Sequence, residues 1–339
     1  MSAQNRRLAK GDWVLVTGAN GYIATHIVDV LLEEGYNVRG TVRSQKSWLN
    51  DYFDKKYRTG RFETKIVKAL NDEGAFDEVI KGVGGIVHVA ADVSFSTDAD
   101  AVISWVVAGT VNLLKAAAKE PTVKSVVLTS SSVANWLPEP NTEKVIDQNT
   151  WNDAAVDAVH NKAAPAEALS FFVYAASKTE QERAFYKWAR ENKPSFAVNS
   201  VLPNMNMGEV LIPEGSASTM GWIQNILKGD ESMIKMMPPQ YFIDVHDDAR
   251  LHVAALLNPA VQNERLAAFA EPFNWTDIIG ILSKLRPENK QLPKAPENEG
   301  RDISDVQGIK RAEELIKSFF GVPGFTKLED SIKAGIRNV

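Results

Sequence analysis

The 339-residue chain has no cysteine, which removes disulfides, thiolate nucleophiles, zinc knuckles and iron–sulfur clusters from consideration. A chain of this length buries a core without covalent staples, and the missing thiols fit a reducing compartment. Charge of one sign is also lacking: 38 Lys and Arg stand against 43 Asp and Glu, a net charge of −5. The basic residues are scattered, so neither nucleic acid nor an anionic membrane is the expected partner. No apolar run reads as long enough to cross a bilayer. The opening MSAQNRRLAKGDWVLVTG lacks the apolar stretch and small-residue cleavage site of a secretory leader. There is no internal repeat, and the proline-bearing stretch 287–299 reads as a solvated loop. The expectation is a soluble, cytoplasmic protein acting on a small molecule.

Short apolar runs alternate with helical patterns in the first part of the chain. Strands are predicted over 13–17, 37–42, 85–90 and 125–130, and helices over 21–34, 74–81 and 100–119. A helix over 174–191, a strand over 196–202 and a helix over 247–257 follow. That rhythm predicts an α/β fold, a doubly wound parallel sheet with ligands at the carboxyl ends of its strands. Residues 1–135, about 171–204 and 241–257 form the expected dinucleotide-binding core. The segments 136–170, 205–240 and 258–339 have a different texture and form a smaller, discontinuous substrate-binding lobe.

The first strand runs into Gly18, Ala19, Asn20, Gly21, Tyr22, Ile23 and Ala24, and then a helix. One glycine permits the tight turn, the second lets backbone amides approach a pyrophosphate, and Ala24 allows helix and strand to pack closely. The end of the second strand carries no acid for a ribose diol but has Arg39 and Arg43, read as lying on one strand face, which favours the 2′-phosphate of NADP(H). Further on, Tyr174 and Lys178 stand four apart on a predicted helix, so an ammonium can sit beside a phenol and lower its pKa from about 10. The fourth of the early strands ends in Thr129, Ser130, Ser131 and Ser132. Hydride transfer to a carbonyl needs a hydrogen bond and a proton at its oxygen; a serine there supplies the first and Tyr174 the second.

With these motifs in order and spacing, the chain resembles the extended short-chain dehydrogenase/reductase family over nearly its whole length. The TGANGYIA turn, the TSSS strand end and the YAASK helix carry the likeness. The HVAA segment from His88, the GTVNLLKAA helix from Gly109, Leu202-Pro203-Asn204 and the IDVHDDARLHVAAL stretch from Ile243 extend it. Within the family it is most similar to fungal NADPH-dependent aldehyde and carbonyl reductases, relatives of plant dihydroflavonol reductases.

The resemblance implies a Rossmann-type core, NADPH as cofactor, and a small carbonyl compound, keto esters included, as substrate of a monomer or homodimer. It assigns Ser131 to the carbonyl, with Ser130 the fallback, Tyr174 to the proton, and Lys178 to the phenol and ribose. Cofactor contacts are implied for Thr17, Gly18, Asn20, Gly21, Tyr22, Ile23, Arg39, Arg43, Ala90, Ala91, Thr129, Ser130, Pro203 and Asn204. Ala69 and Leu70 would adjoin the adenine, Ala69 standing where relatives usually have an aspartate. Phe95, Phe171, Met205, Met237 and Gln240 would join Ser131 in a mostly apolar substrate cleft. The rivals are dihydroflavonol reductase-like or nucleotide-sugar epimerase/dehydratase chemistry and a non-catalytic NADP-sensing regulator, which would lack the Tyr-x-x-x-Lys pair.

No metal is expected. His246, Asp247, Asp248 and His252 read as a helix start with Asp247 near the cap. His88 is expected to line the cofactor channel or pack, and Trp13, Trp105 and Trp188 to anchor the core.

Overall fold

A computed structural model describes residues 6–339; the first five residues of the opening segment lie outside the described residues. The chain begins with β1 (Trp13–Thr17), α1 (Tyr22–Glu33), β2 (Asn37–Val42), α2 (Ser47–Tyr57), β3 (Phe62–Ile66), β4 (Val83–His88), α3 (Ala99–Lys119) and β5 (Ser125–Thr129). It continues through β6 (Val145–Ile146), α4 (Asp153–His160), α5 (Leu169–Asn192), β7 (Ala197–Pro203) and β8 (Met205–Met207). Next come α6 (Ser218–Ile226), α7 (Ser232–Met236), β9 (Gln240–Asp244), α8 (Val245–Leu257), β10 (Arg265–Ala268) and β11 (Glu271–Phe273). The chain closes with α9 (Trp275–Leu285), β12 (Asp305–Val306), α10 (Ile309–Phe320) and α11 (Leu328–Gly335).

Seven strands pair in parallel in the order β10-β7-β5-β4-β1-β2-β3. Strands such as β4 and β5 are buried throughout, because helices cover both faces, and so they read as apolar runs without alternation. Val14 and Val16 join Ile27, Leu31, Leu256 and Leu315 in the core on one face. Leu15 points the other way, to Leu113, Leu114 and Phe185 of α3 and α5. Each such side chain contributes about 2 kcal/mol by burial. Strand order reverses between β1 and β4, which opens a crevice at their carboxyl ends. A three-stranded sheet β11-β9-β8 with α6, α9 and α11 forms the lobe, around Met220, Phe242, Phe273 and Trp275.

Several expectations need correction. The segment 74–81 is a succession of turns, not a helix, because Gly74 sits at φ +75° and backbone pairing is sporadic. Helix α2 and strand β3 carry too little apolar signal to be predicted: α2 buries only Leu49 and Phe53, and β3 is an edge strand burying Phe62. Helix α5 starts five residues before the predicted 174. Strand β10 extends the central sheet beside β7, and α10 packs on α8, so part of 258–339 belongs to the core rather than the lobe. Helix α3 is long and apolar enough to cross a membrane by length and composition, with a mean hydropathy of 1.5 over its most apolar window. Its apolar residues pack against α5 and the sheet, and that packing accounts for the hydropathy.

Candidate active site

Helix α1 starts at Gly21 with no side-chain cap and no acidic residue in its first turn. Its leading N–H groups and the positive end of its dipole are therefore open to an anion. Gly18 has φ +66°, and a Cβ there would lie 3.2 Å from the Ala90 backbone, so the turn closes only on glycine. A groove of about 400 Å³ opens from this turn over the carboxyl ends of β1, β2, β3 and β4. A larger cavity of about 720 Å³ lies at the opposite edge, by the amino ends of β5 and β7, away from the crevice the topology creates.

Of the expected cofactor residues, Gly18, Asn20, Gly21, Tyr22, Ile23, Arg43, Leu70, Ala90 and Ala91 line the groove. Arg39 does not. Its Nε is 2.6 Å from Glu63, its Nη1 donates to the carbonyls of Val79 and Lys81, and its guanidinium lies over Trp13. The error was geometric: β2 ends at Val42, so Arg43 has left the strand and the two arginines do not share its face. Thr17 is fully buried, where its hydroxyl accepts from the amides of Val89 and Ala90 and pairs with His88. Thr129 turns its hydroxyl to His252, and Ser130 donates to Glu182 at 2.9 Å. Ala69 is bypassed by the lining, and Pro203 and Asn204 stand at the end of β7, with the Asn204 side chain accepting from Met205 N–H. Lining residues missed from the sequence include Thr41, Lys68, Val89 and Trp105, at or beyond strand ends, on β2's last turn or on α3, and Ser216 and Ser218 across the groove from the lobe. The strand-end rule could have found the first three; nothing in the sequence marks the two serines.

Beside the groove, α5 brings Tyr174 and Lys178 against the end of β5. Ser131, extended at φ −160° and with no capping bond of its own, lies close enough to the Tyr174 phenol to lower its pKa. Burial raises that phenol's pKa, and the nearby Ser131 hydroxyl opposes the rise. The expected lowering by Lys178 is not found: its Nζ donates to the Thr129 carbonyl at 2.9 Å. Burial pushes Lys178 itself down to about 8, against the pull of Glu182. Ser130, tied to Glu182, is not available as the fallback.

Phe95 meets the site, 43% exposed and with its ring 5.5 Å from that of Tyr174. Its φ of +54° is a strained backbone for a bulky residue. Phe171, like Leu137 and Tyr174, packs against the small cluster of Val133, Ala155 and Ala175. Met205 and Gln240 are instead buried in the lobe, Met205 within its core and Gln240 at the β9–β11 pairing. Met237 lines a separate cavity with Pro140 and Pro296, and its carbonyl accepts from Trp275. Asp244 caps α8 and Asp247 stands near the cap in the first turn, as expected, where it accepts from Arg250 and the Thr326 amide. His88 packs, with burial and Lys178 holding its pKa down to about 3.

Comparison with known proteins identifies the family and the fold. The pattern of the NAD dependent epimerase/dehydratase family matches residues 14–267. The chain is 45% identical to "Ketoreductase adrE" of Penicillium rubens over 337 residues, covering 98% of each chain. It is 42% identical to "Aldehyde reductase 2" of Sporidiobolus salmonicolor over 334 residues, covering 97% of this chain and 96% of the relative. In fold it is similar to yeast methylglyoxal/isovaleraldehyde reductase Gre2 complexed with NADPH, at a TM-score of 0.79 and 24% identity, over 96% of this chain and 97% of the other. The chain thus belongs to the NAD-dependent epimerase/dehydratase family of extended short-chain dehydrogenases/reductases.

Proposed function

We propose that the protein is an NADPH-dependent carbonyl reductase that converts aldehydes or ketones, keto esters among them, to alcohols. The observation that carries this reading is the Ser131 hydroxyl beside the Tyr174 phenol, with Lys178 one turn along α5, next to a groove suited to a dinucleotide. The ketoreductase and aldehyde reductase names of its relatives support the reaction class. The choice of NADPH rests on the groove's lining, which holds Arg43 and Lys68 and no carboxylate. A 2′-phosphate gains from those cations, whereas a ribose diol finds no acid to accept from it.

The residues fit the cofactor: the uncapped start of α1 and the turn at Gly18 would hold the pyrophosphate, and Arg43 the 2′-phosphate. When bound, NADPH supplies the hydride. Ser131 donates a hydrogen bond to the carbonyl oxygen, and Tyr174 gives it a proton. With its pKa raised by burial, Tyr174 holds that proton at neutral pH, as a donor must. The Lys178 ammonium, held on the Thr129 carbonyl, would meet the ribose hydroxyls of the cofactor rather than tune the phenol. Phe95 and Phe171 give the substrate an apolar aromatic wall next to Tyr174.

The test is NADPH oxidation against aromatic aldehydes, β-keto esters, dihydroflavonols and UDP-sugars. Turnover of the carbonyl compounds with NADPH is expected. Reaction of the UDP-sugars alone, with NAD, would overturn the reading.

A further inference from the structure

One turn beyond Lys178, the same face of α5 carries Glu182, a carboxylate with no exposure at all. Four donors converge on it. Ser130 Oγ lies 2.9 Å from Oε2 and Ser200 Oγ 2.5 Å from Oε1. Arg265 completes the set from β10, side-on, with Nε and Nη2 each at 3.0 Å. The Arg265 guanidinium is itself fully engaged: it donates to Asn135 and to the carbonyls of Gln148 and Thr150, and lies 3.8 Å above the Trp151 ring. One buried ion pair therefore ties α5 to β5, β7, β10 and the segment after β5.

That pair flanks two site residues by one chain link or one helical turn. Ser130 precedes Ser131, and Lys178 precedes Glu182 by four. Burying a carboxylate and a guanidinium costs several kcal/mol before they attract one another, and an apolar cluster of equal volume would hold these strands together as well. The cost is understandable if the charge serves the site. We propose that Glu182, held by Arg265, is a positioning residue of the reductase site: it fixes the backbone that bears Ser131 and sets the anion that faces Lys178. The inference rests on the reductase reading for what Ser131 and Lys178 do.

The groups facing Lys178 make the electrostatic half specific. From α5 come Tyr174 and Glu182, from β4 His88, and from β5 the Thr129 carbonyl. His88 is neutral, with a pKa of about 3, and Tyr174 is neutral as an ordinary phenol is, more so for its burial. Glu182 is then the anion opposing the burial of the lysine. Around Glu182 itself stand Arg265, Lys178, the two serines and Tyr186, a phenol that burial keeps protonated.

Glu182→Gln keeps the shape and removes the charge. Lys178 should then lose its proton at lower pH, moving the alkaline limb of kcat/KM down by about half a pH unit or more. The pH at which NADPH affinity declines, read by fluorescence titration, should move with it. Ser200→Ala removes a hydrogen bond to the same carboxylate but no charge, so its limb should stay where the wild type has it, whatever activity it loses. Unmoved limbs in both variants would overturn the inference and leave Glu182 a packing residue. If Glu182→Gln alone does not fold, the paired Glu182→Gln/Arg265→Met variant, which buries no charge there, carries the same expectation. A wild type inactive on every carbonyl compound would refute the reductase reading instead, and the NADPH titration would still decide for or against Glu182.

Discussion

Tyr174 holds its proton well past neutral pH, because a phenol ordinarily titrates near about 10 and burial raises it further. The sequence made the pairing of Tyr174 with Lys178 legible, since four residues on a helix bring two side chains to one face. It did not reveal that the lysine would be held by the Thr129 carbonyl, because that depends on how α5 docks against β5. Arg39 and Arg43 show the same limit. Both read as cations at a strand end, yet only tertiary packing shows that Arg39 is spent on Glu63 and two carbonyls. Arg43→Ala should therefore weaken NADPH binding about tenfold or more, the worth of a charge-assisted contact, and leave NADH binding unchanged. Arg39→Ala should lower stability and leave the NADPH over NADH preference intact. Cofactor titrations on both variants separate the two; loss of the preference in Arg39→Ala would show the assignment reversed.

Among the elements, the β1 turn and α1 join fold to function most tightly. The missing cap that would weaken an ordinary helix leaves its first amides for a phosphate. Gly18→Ala should cost about 1–2 kcal/mol, from the left-handed backbone and the approach to Ala90, and should weaken NADPH binding in parallel. Urea denaturation with a cofactor titration checks this, and an alanine tolerated in both measurements would contradict it. Strand β1 was readable to the residue because a strand buried on both faces is a nearly continuous apolar run. Helix α2, with two buried residues, and the turns at 74–81 were not, because there local pattern is weak and tertiary contacts decide. The lobe was legible as a change of texture, but which of its side chains face the cleft was not. Met205 is apolar and near the right place in the chain, and it fills the lobe's core.

For the molecule as a whole, acid stability follows from buried titratable groups. His26 and His88 have folded pKa values lowered to about 4 and about 3, chiefly by burial. Their stability contribution is complete above the unfolded value near 6.5 and is lost as pH falls toward the folded values, by about 1.4 kcal/mol per pH unit for each. Asp244 acts with the opposite sign: burial raises it to about 6, so falling pH through that value favours the folded state. The net slope belongs to the histidines, and the denaturation midpoint should drop between pH 6.5 and 4. The His26→Gln/His88→Gln variant should show a flatter curve over that window. An unchanged slope in that variant would place the acid sensitivity elsewhere.

The proposed chemistry comes down to one phenol. Tyr174→Phe keeps the ring against Phe95 and the Val133, Ala155 and Ala175 cluster and removes only the hydroxyl beside Ser131. With saturating NADPH and an aromatic aldehyde that the wild type reduces, its rate of NADPH oxidation should fall about a hundredfold or more, while NADPH affinity stays within a few-fold. A variant that reduces the aldehyde at the wild-type rate would contradict the proposed role of Tyr174 and, with it, the reading of this site.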